Sequence, residues 1–171
     1  NDSECRETLG RKIPKAGNIA DYIQRNASYP VYQNTDVIYY DEAVKGLEAQ
    51  LEDLAKAEKF IFMEYHAIED AQAWHKIQSV LEDRVKAGVD VRVFYDDMGS
   101  IGFINTDFIK KMEKVGIHCR VFNPFTPGLN VFLNNRDHRK ITVIDGKVGF
   151  TGGYNLANEY FNFTHPYGQW K

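Results

Sequence analysis

The sequence predicts an α/β domain, a mixed sheet flanked by helices that ends in a β-hairpin. Three observations predict it. Between about residues 37 and 122, apolar runs of strand length alternate with stretches whose apolar residues recur at helical spacing. That rhythm breaks at a Pro- and Gly-marked loop over Asn123–Asn135. Beyond it, two β-rich runs flank Asp145-Gly146, a dipeptide that tolerates the positive φ values of a two-residue hairpin turn.

Residues 1–35 are polar and mixed, with Pro14, Gly17 and Pro30, and are expected to form a leader or linker. One short helix is expected in it, over Asn18–Arg25, carrying Ile19, Tyr22 and Ile23. The domain proper is expected over residues 36–171. Val37–Tyr40 reads as its first strand and Asp41 as the N-cap of a helix that aligns Val44, Leu47, Leu51 and Leu54 on one face. Phe60–Met63 reads as a strand buried on both faces. Asp70 is expected to cap a helix with Trp74, Ile77, Leu81 and Val85 inward, ended by Gly88. Val89–Tyr95 alternates as a half-buried strand. A third helix over Thr106–Val115 turns Phe108, Met112 and Val115 inward and stops at Gly116, and strand His118–Phe122 follows. This order implies parallel crossovers. The hairpin strands are Lys140–Ile144 and Lys147–Thr151.

Composition narrows the function classes. Hydrophobic residues at 43% and charged residues at 26% exclude disorder, collagen and coiled coil. The 21 basic against 24 acidic side chains leave a charge of −3, which argues against a surface built to coat nucleic acid. Cys5 and Cys119 form neither a disulfide framework nor a metal-ligand spacing. No apolar stretch approaches the ~18 residues that cross a bilayer, so this stretch of chain is expected to be soluble. Its start at Asn1 and its end at Lys171 suggest part of a longer chain.

The chemistry concentrates in Asp137–Asp145 and Gly152-Gly153-Tyr154-Asn155. On a strand, His138 and Lys140 share a face while Ile141 and Val143 point the other way, into apolar packing. Two potentially cationic groups side by side repel, and a bound anion reverses that cost. Imidazole also changes protonation near neutral pH. Glycines without Cβ let backbone approach a ligand, and Asn155 adds an amide donor. Together these form a phosphate cradle with a histidine nucleophile. Histidine, lysine and asparagine make a poor metal ligand set, so no metal or cofactor is expected. Asp96-Asp97 is expected to terminate a strand and take up loop amides rather than form an acid/base pair. His66 follows a strand end, where ligands gather in open α/β sheets, and is either a supporting site residue or a satisfied half-buried histidine. His75 and His165 are expected to be surface or packing residues.

His138-x-Lys140-x4-Asp145-x6-Gly152-Gly153-x-Asn155 resembles the HxKxxxxD signature of the phospholipase D superfamily with its downstream glycine–asparagine element. Asn135–Lys140, Asn155–Tyr160, Tyr95–Ser100 and Trp170 look like bacterial cardiolipin synthases. That resemblance implies a metal-independent phosphatidyl transfer through a phosphohistidine, from one phosphatidylglycerol to another, with release of glycerol. It implies two such motifs, the second from another half of the same polypeptide or from a second subunit. His138 would be the nucleophile, with Lys140, Gly153 and Asn155 as phosphate clamps. Asp145 belongs to the catalytic motif but lies off the His138 face by parity, so its part is orienting or structural. The family's acid after a tryptophan falls beyond Lys171, and Glu159 is a possible substitute. The resemblance places the full-length protein at the bacterial membrane, without nucleic acid as a partner. The apolar loop with Phe125, Leu129, Val131, Phe132 and Leu133 would receive acyl chains, dip into the bilayer surface, or pack on core and partner half. This chain alone would bind phosphate better than it catalyses. The alternatives are a homodimeric phospholipase D-type nuclease or phosphodiesterase and a non-catalytic phosphate-binding or interaction module.

Overall fold

The computed structural model describes residues 2–125, 128 and 134–170. The chain divides into two compact units, Asn1–Tyr39 and Tyr40–Lys171. The first holds helices α1 (Asp2–Lys12) and α2 (Pro14–Ala27). Pro14 opens α2, where its fixed φ suits the helix and its missing N–H costs nothing. The two helices cross at glycines: a Cβ on Gly17 would lie 2.6 Å from the Gly10 Cα. An Arg6–Asp21 ion pair at 3.3 Å adds to the crossing. Residues 2–27 thus hold two helices where the sequence suggests one short one. Helix α1 escaped sequence reading because Cys5 and Leu9 are too few apolar residues to mark a stripe.

The second unit runs α3 (Ala43–Leu54), β1 (Phe60–Tyr65), α4 (Gln72–Lys86), β2 (Asp90–Asp96), α5 (Phe108–Lys114), β3 (His118–Phe122), β4 (Lys140–Ile144) and β5 (Val148–Thr151), with a 3-10 turn at Asn158–Phe161. The sheet order is β3-β2-β1-β4-β5. Strands β1, β2 and β3 are parallel, whereas β4 is antiparallel to both β1 and β5. The mixed α/β architecture is as expected, with one strand fewer. Val37–Tyr40 forms no strand; Val37, Ile38 and Tyr39 are more than two-thirds exposed and make no ladder. Asp41 and Asp70 are not the expected caps. Asp41 pairs with Lys45 at 3.0 Å. Asp70 pairs with His75 at 2.8 Å and Lys111 at 3.4 Å. Each carboxylate turns to a cation instead of the helix amides, and Glu42 and Ala71 stand at the N-cap positions without a side-chain bond.

One face of the sheet makes the core. Ile61, Met63, Tyr65, Val91, Val93, Tyr95 and Cys119 pack with Leu47, Leu54, Trp74, Ile77, Leu81, Phe108 and Met112 from the helices. Each such aliphatic side chain contributes about 1.5–3 kcal/mol by leaving water. The other face is more open, so Phe60–Met63 is not buried on both sides: Phe62 remains 39% exposed, stacked on Phe60 and under Arg92. The same asymmetry reverses the expectation for β4. Lys140, Thr142 and Ile144 occupy the buried face, and Ile141 and Val143 are only half-buried.

The β4–β5 turn has φ of 55° at Asp145 and 68° at Gly146, the primed geometry that the Asp-Gly pair implies. Of the apolar loop, Leu129, Val131, Phe132 and Leu133 lie outside the described residues. Phe125 is 39% exposed.

Candidate active site

The site lies at the carboxyl end of β1, where the sheet changes from parallel to antiparallel. Antiparallel pairing sets Lys140 opposite Tyr65, so the chain leaving β1 at His66 meets the chain entering β4 at Asp137-His138. The His66 N–H donates to the Arg139 carbonyl at 3.0 Å, and its Nδ1 lies 2.7 Å from the Asp137 carbonyl oxygen. A carbonyl only accepts, so this assigns the hydrogen to Nδ1 and leaves Nε2 with the lone pair in the neutral ring. The His66 and His138 rings touch, with centroids 4.7 Å apart.

Lys140 is 5% exposed, and its Nζ donates to the His138 carbonyl at 2.8 Å. Desolvation pulls the ammonium below its ordinary range. Its charge in turn is the chief reason His138 sits below the usual imidazole range. Desolvation and His66 act in the same direction, while Asp137 and Asp96 oppose them. His138, exposed beside the buried Lys140 ammonium, is therefore biased toward the free base. Beneath Lys140, on the same face, Gln50 Nε2 reaches the Thr142 hydroxyl at 2.7 Å and the Tyr65 hydroxyl at 3.1 Å.

Asn155 is brought in from beyond β5. Its Oδ1 accepts from the Ala67 N–H at 3.2 Å and its Nδ2 donates to the Tyr160 hydroxyl at 2.9 Å, leaving one amide hydrogen. The last β4–β5 pair is Ile141 with Thr151, so Gly152 and Gly153 continue past the sheet on the Lys140 side. A Cβ on Gly153 would meet nothing within 4 Å, so backbone there is open to a ligand.

Two candidates are not brought to this cluster. Asp145 lies at the far end of β4, beyond Ile144, which is about 14 Å along the strand from Lys140. Its carboxylate accepts from the Glu58, Lys59 and Phe60 amides at 2.9, 2.8 and 2.9 Å, pinning the hairpin to the start of β1. Those amides hold Asp145 below the usual carboxylate range. Glu159 makes no side-chain hydrogen bond or ion pair with His138 among the described residues. Asp96 and Asp97 take up loop amides as expected. Asp96, fully buried, accepts from the Gly99 and Asp137 N–H groups and pairs with Arg136; Asp97 accepts from Phe125 N–H. Among the described residues no group of three His, Cys, Asp or Glu side chains converges on a metal position.

Residues 51–166 match the family described as cardiolipin synthase, PLD-like domain. The chain belongs to that family. An uncharacterized protein of Streptococcus mutans is 47% identical over 154 residues, covering 90% of this chain and 33% of that protein. A cardiolipin synthase of Oceanobacillus iheyensis is 34% identical over 139 residues, covering 81% of this chain and 29% of its own length. The chain thus spans about a third of the length of these curated relatives. Among solved structures, NucT from Helicobacter pylori shares the fold, with a TM-score of 0.52 at 15% identity over 68% of this chain and 70% of its own.

Three residues of this phospholipase D-like domain that support the cluster were not singled out from sequence. Gly99 leaves room for the His66 ring and carbonyl. Asp137 is 4% exposed, its carbonyl oxygen lies 2.7 Å from His66 Nδ1, and His138 follows it in the chain. Glu64 shares Arg139 with Asp137. A lone acid inside the apolar run Phe60–Tyr65 was the available signal for Glu64.

Proposed function

We propose that the chain supplies one half of a cardiolipin synthase site, which transfers a phosphatidyl group from one phosphatidylglycerol to another. The His138 imidazole nitrogen attacks phosphorus, the bond from phosphorus to the glycerol oxygen breaks, and the leaving oxygen takes a proton from the second motif. A hydroxyl of the second phosphatidylglycerol then attacks the phosphohistidine, gives its proton back to that motif, and frees His138. Lys140, the remaining amide hydrogen of Asn155 and the open backbone at Gly153 balance charge on the phosphoryl oxygens. The observation that carries this reading is an exposed His138 imidazole followed two residues on by the buried Lys140 ammonium, with the backbone at Gly153 free of any Cβ obstruction. Asp145 serves the fold of the motif and takes no proton.

The substrate is a bilayer lipid, so the intact protein works at a membrane. None of the described helices is long and apolar enough to cross one, and Phe125 at the entry to the motif is the described apolar contact for acyl chains. The test is to incubate the intact protein with phosphatidylglycerol labelled at the phosphatidyl phosphorus, quench it in alkali, and map the label. Label on the peptide containing His138 is expected. Cardiolipin formed with no label on that peptide overturns the assignment.

A further inference from the structure

We propose that Glu64 is a positioning residue for the nucleophile: it keeps a proton and donates it to the buried Oδ2 of Asp137, locking the turn from which His138 projects. The inference rests on the reading of His138 as nucleophile.

The geometry begins with an acceptor that lacks a donor. Asp137 is 4% exposed, and its Oδ1 takes the Arg139 N–H at 3.2 Å and the Arg139 Nε at 3.0 Å. Its Oδ2 is buried with no hydrogen-bond partner among the described residues. An ionised carboxylate oxygen shut away from water and left without a donor is strongly disfavoured. The group beside it is another carboxyl. Arg139 Nη2 reaches Glu64 Oε1 at 2.7 Å, so Glu64 and Asp137 flank one guanidinium.

Asp137 also faces the Lys140 ammonium and the His138 imidazole, so what the pair lacks is a donor for Oδ2, and two carboxylates sharing one guanidinium repel. A hydrogen on Glu64 answers both, because Oδ2 gains an O–H donor and the repulsion is lifted. Directly across from Glu64 the neighbouring strands place apolar residues, Phe94 on β2 and Ile141 on β4. Burial first, and then the hydrogen bond and charge of Asp137, raise Glu64 above the ordinary glutamate range, with Arg139 opposing. Burial alone would raise Asp137 too, but the bonds from Glu64 and Arg139 outweigh it and leave Asp137 low. When the pair holds one proton, Glu64 rather than Asp137 therefore carries it.

What the bond positions follows from the backbone of Asp137. Its carbonyl holds His66 Nδ1, its N–H is fixed by Asp96, and the next residue is His138. If residue 137 swings free, the His66–His138 ring contact goes with it.

The test uses Glu64→Gln and Glu64→Leu in the intact protein. A glutamine amide donates the same hydrogen bond at every pH; leucine donates none. Carbon-13 NMR of the side-chain carboxyls should show Glu64 titrating above the exposed glutamates and Asp137 below the ordinary aspartate range, and a Glu64 that titrates with or below the exposed glutamates overturns the proposal whatever the enzyme does. Imidazole NMR should show the His138 titration unchanged in Glu64→Gln and displaced in Glu64→Leu. Phosphohistidine formation should stay within about twofold in the first variant and fall at least about tenfold in the second, with both folded by circular dichroism. Equal behaviour of the two variants overturns the positioning role. If the unsubstituted protein forms no phosphohistidine, the transferase reading fails alone, and the two NMR measurements still decide this one.

Discussion

Gly99→Ala is the sharpest perturbation the structure offers, because it changes one methyl group and touches neither histidine chemically. A Cβ at Gly99 would stand 2.6 Å from His66 Cε1 and 2.8 Å from Nδ1, with the His66 carbonyl oxygen nearer still. Ordinary van der Waals contact starts near 3.4 Å, so ring and backbone must retreat by close to 1 Å. The alanine cannot yield instead, since Gly99 N–H is tied to the Asp96 carboxylate at 2.9 Å and Ser100 Oγ accepts from Ile68 N–H at 3.2 Å. Overpacking of this kind costs about 1–3 kcal/mol. The larger effect falls on the site. His66 is bonded to the Asp137 carbonyl and lies against the His138 ring, and a misplacement near 1 Å in a reacting constellation costs roughly a hundredfold in rate. The assay is phosphohistidine formation from labelled phosphatidylglycerol, with circular dichroism and a urea melt to establish folding. A folded Gly99→Ala protein that keeps its rate within about twofold would refute the claim that the 96–100 loop sets the histidine pair.

Three further outcomes are expected. Lys140→Met removes the main influence that keeps His138 deprotonated, so its imidazole should titrate at higher pH by proton NMR and the acid limb of the rate profile should move up with it; an unchanged or lower titration contradicts the site electrostatics. Asp145→Ala should lower the thermal midpoint without changing the rate per folded molecule, because three backbone N–H groups lose their acceptor. Since the folded Asp145 is held below the ordinary aspartate value of ~3.9, its stabilisation is present above that pH and disappears as pH falls through the folded value. Asp145→Asn should flatten that acid slope, and an Asp145→Ala protein as stable as the parent rejects the pinning role. Thr142→Val strips the fully buried Gln50 and Tyr65 of a shared partner and should cost about 1–3 kcal/mol in urea denaturation.

Elements whose signals are local were legible in the sequence. His118–Phe122 has the bounds the sequence suggests, and the Asp145-Gly146 turn has the positive φ that its residue types permit. Residue parity puts Asp145 off the His138 face, but that it lies at the opposite end of β4, bound to the Glu58–Phe60 amides, was not legible. Where tertiary partners decide, the reading failed. Val37–Tyr40 is apolar enough for a strand but finds no neighbour to complete a ladder, and strand propensity without a partner has no hydrogen bonds to offer. Asp41 and Asp70 were read as caps because capping is a sequence pattern; the cations that claim them come from a helical turn away and from α5. The need for Gly99 is invisible locally, since its φ is ordinary and what it makes room for lies 33 residues earlier in the chain.

The placement of the candidate site follows from strand direction more than from the motif. A parallel β4 would bring Lys140 to the Phe60 end of β1 and strand it among the residues that now pin the hairpin. Antiparallel pairing instead sets Lys140 against Tyr65 and Ile144 against Ile61. One continuous signature is thereby split between two ends of a strand. Its histidine and lysine reach the open carboxyl edge, where β1 and β2 end in loops that accommodate polar groups, while its aspartate is spent on backbone amides at the opposite edge. The spacing between Lys140 and Asp145 is therefore set by the length of β4 and not by any distance that chemistry at phosphorus requires. A variant that lengthens β4 and its β5 partner together, keeping Asp145 on the Glu58–Phe60 amides, must push His138 beyond His66 and break the ring contact, so the strand behaves as a ruler whose two ends cannot be tuned separately.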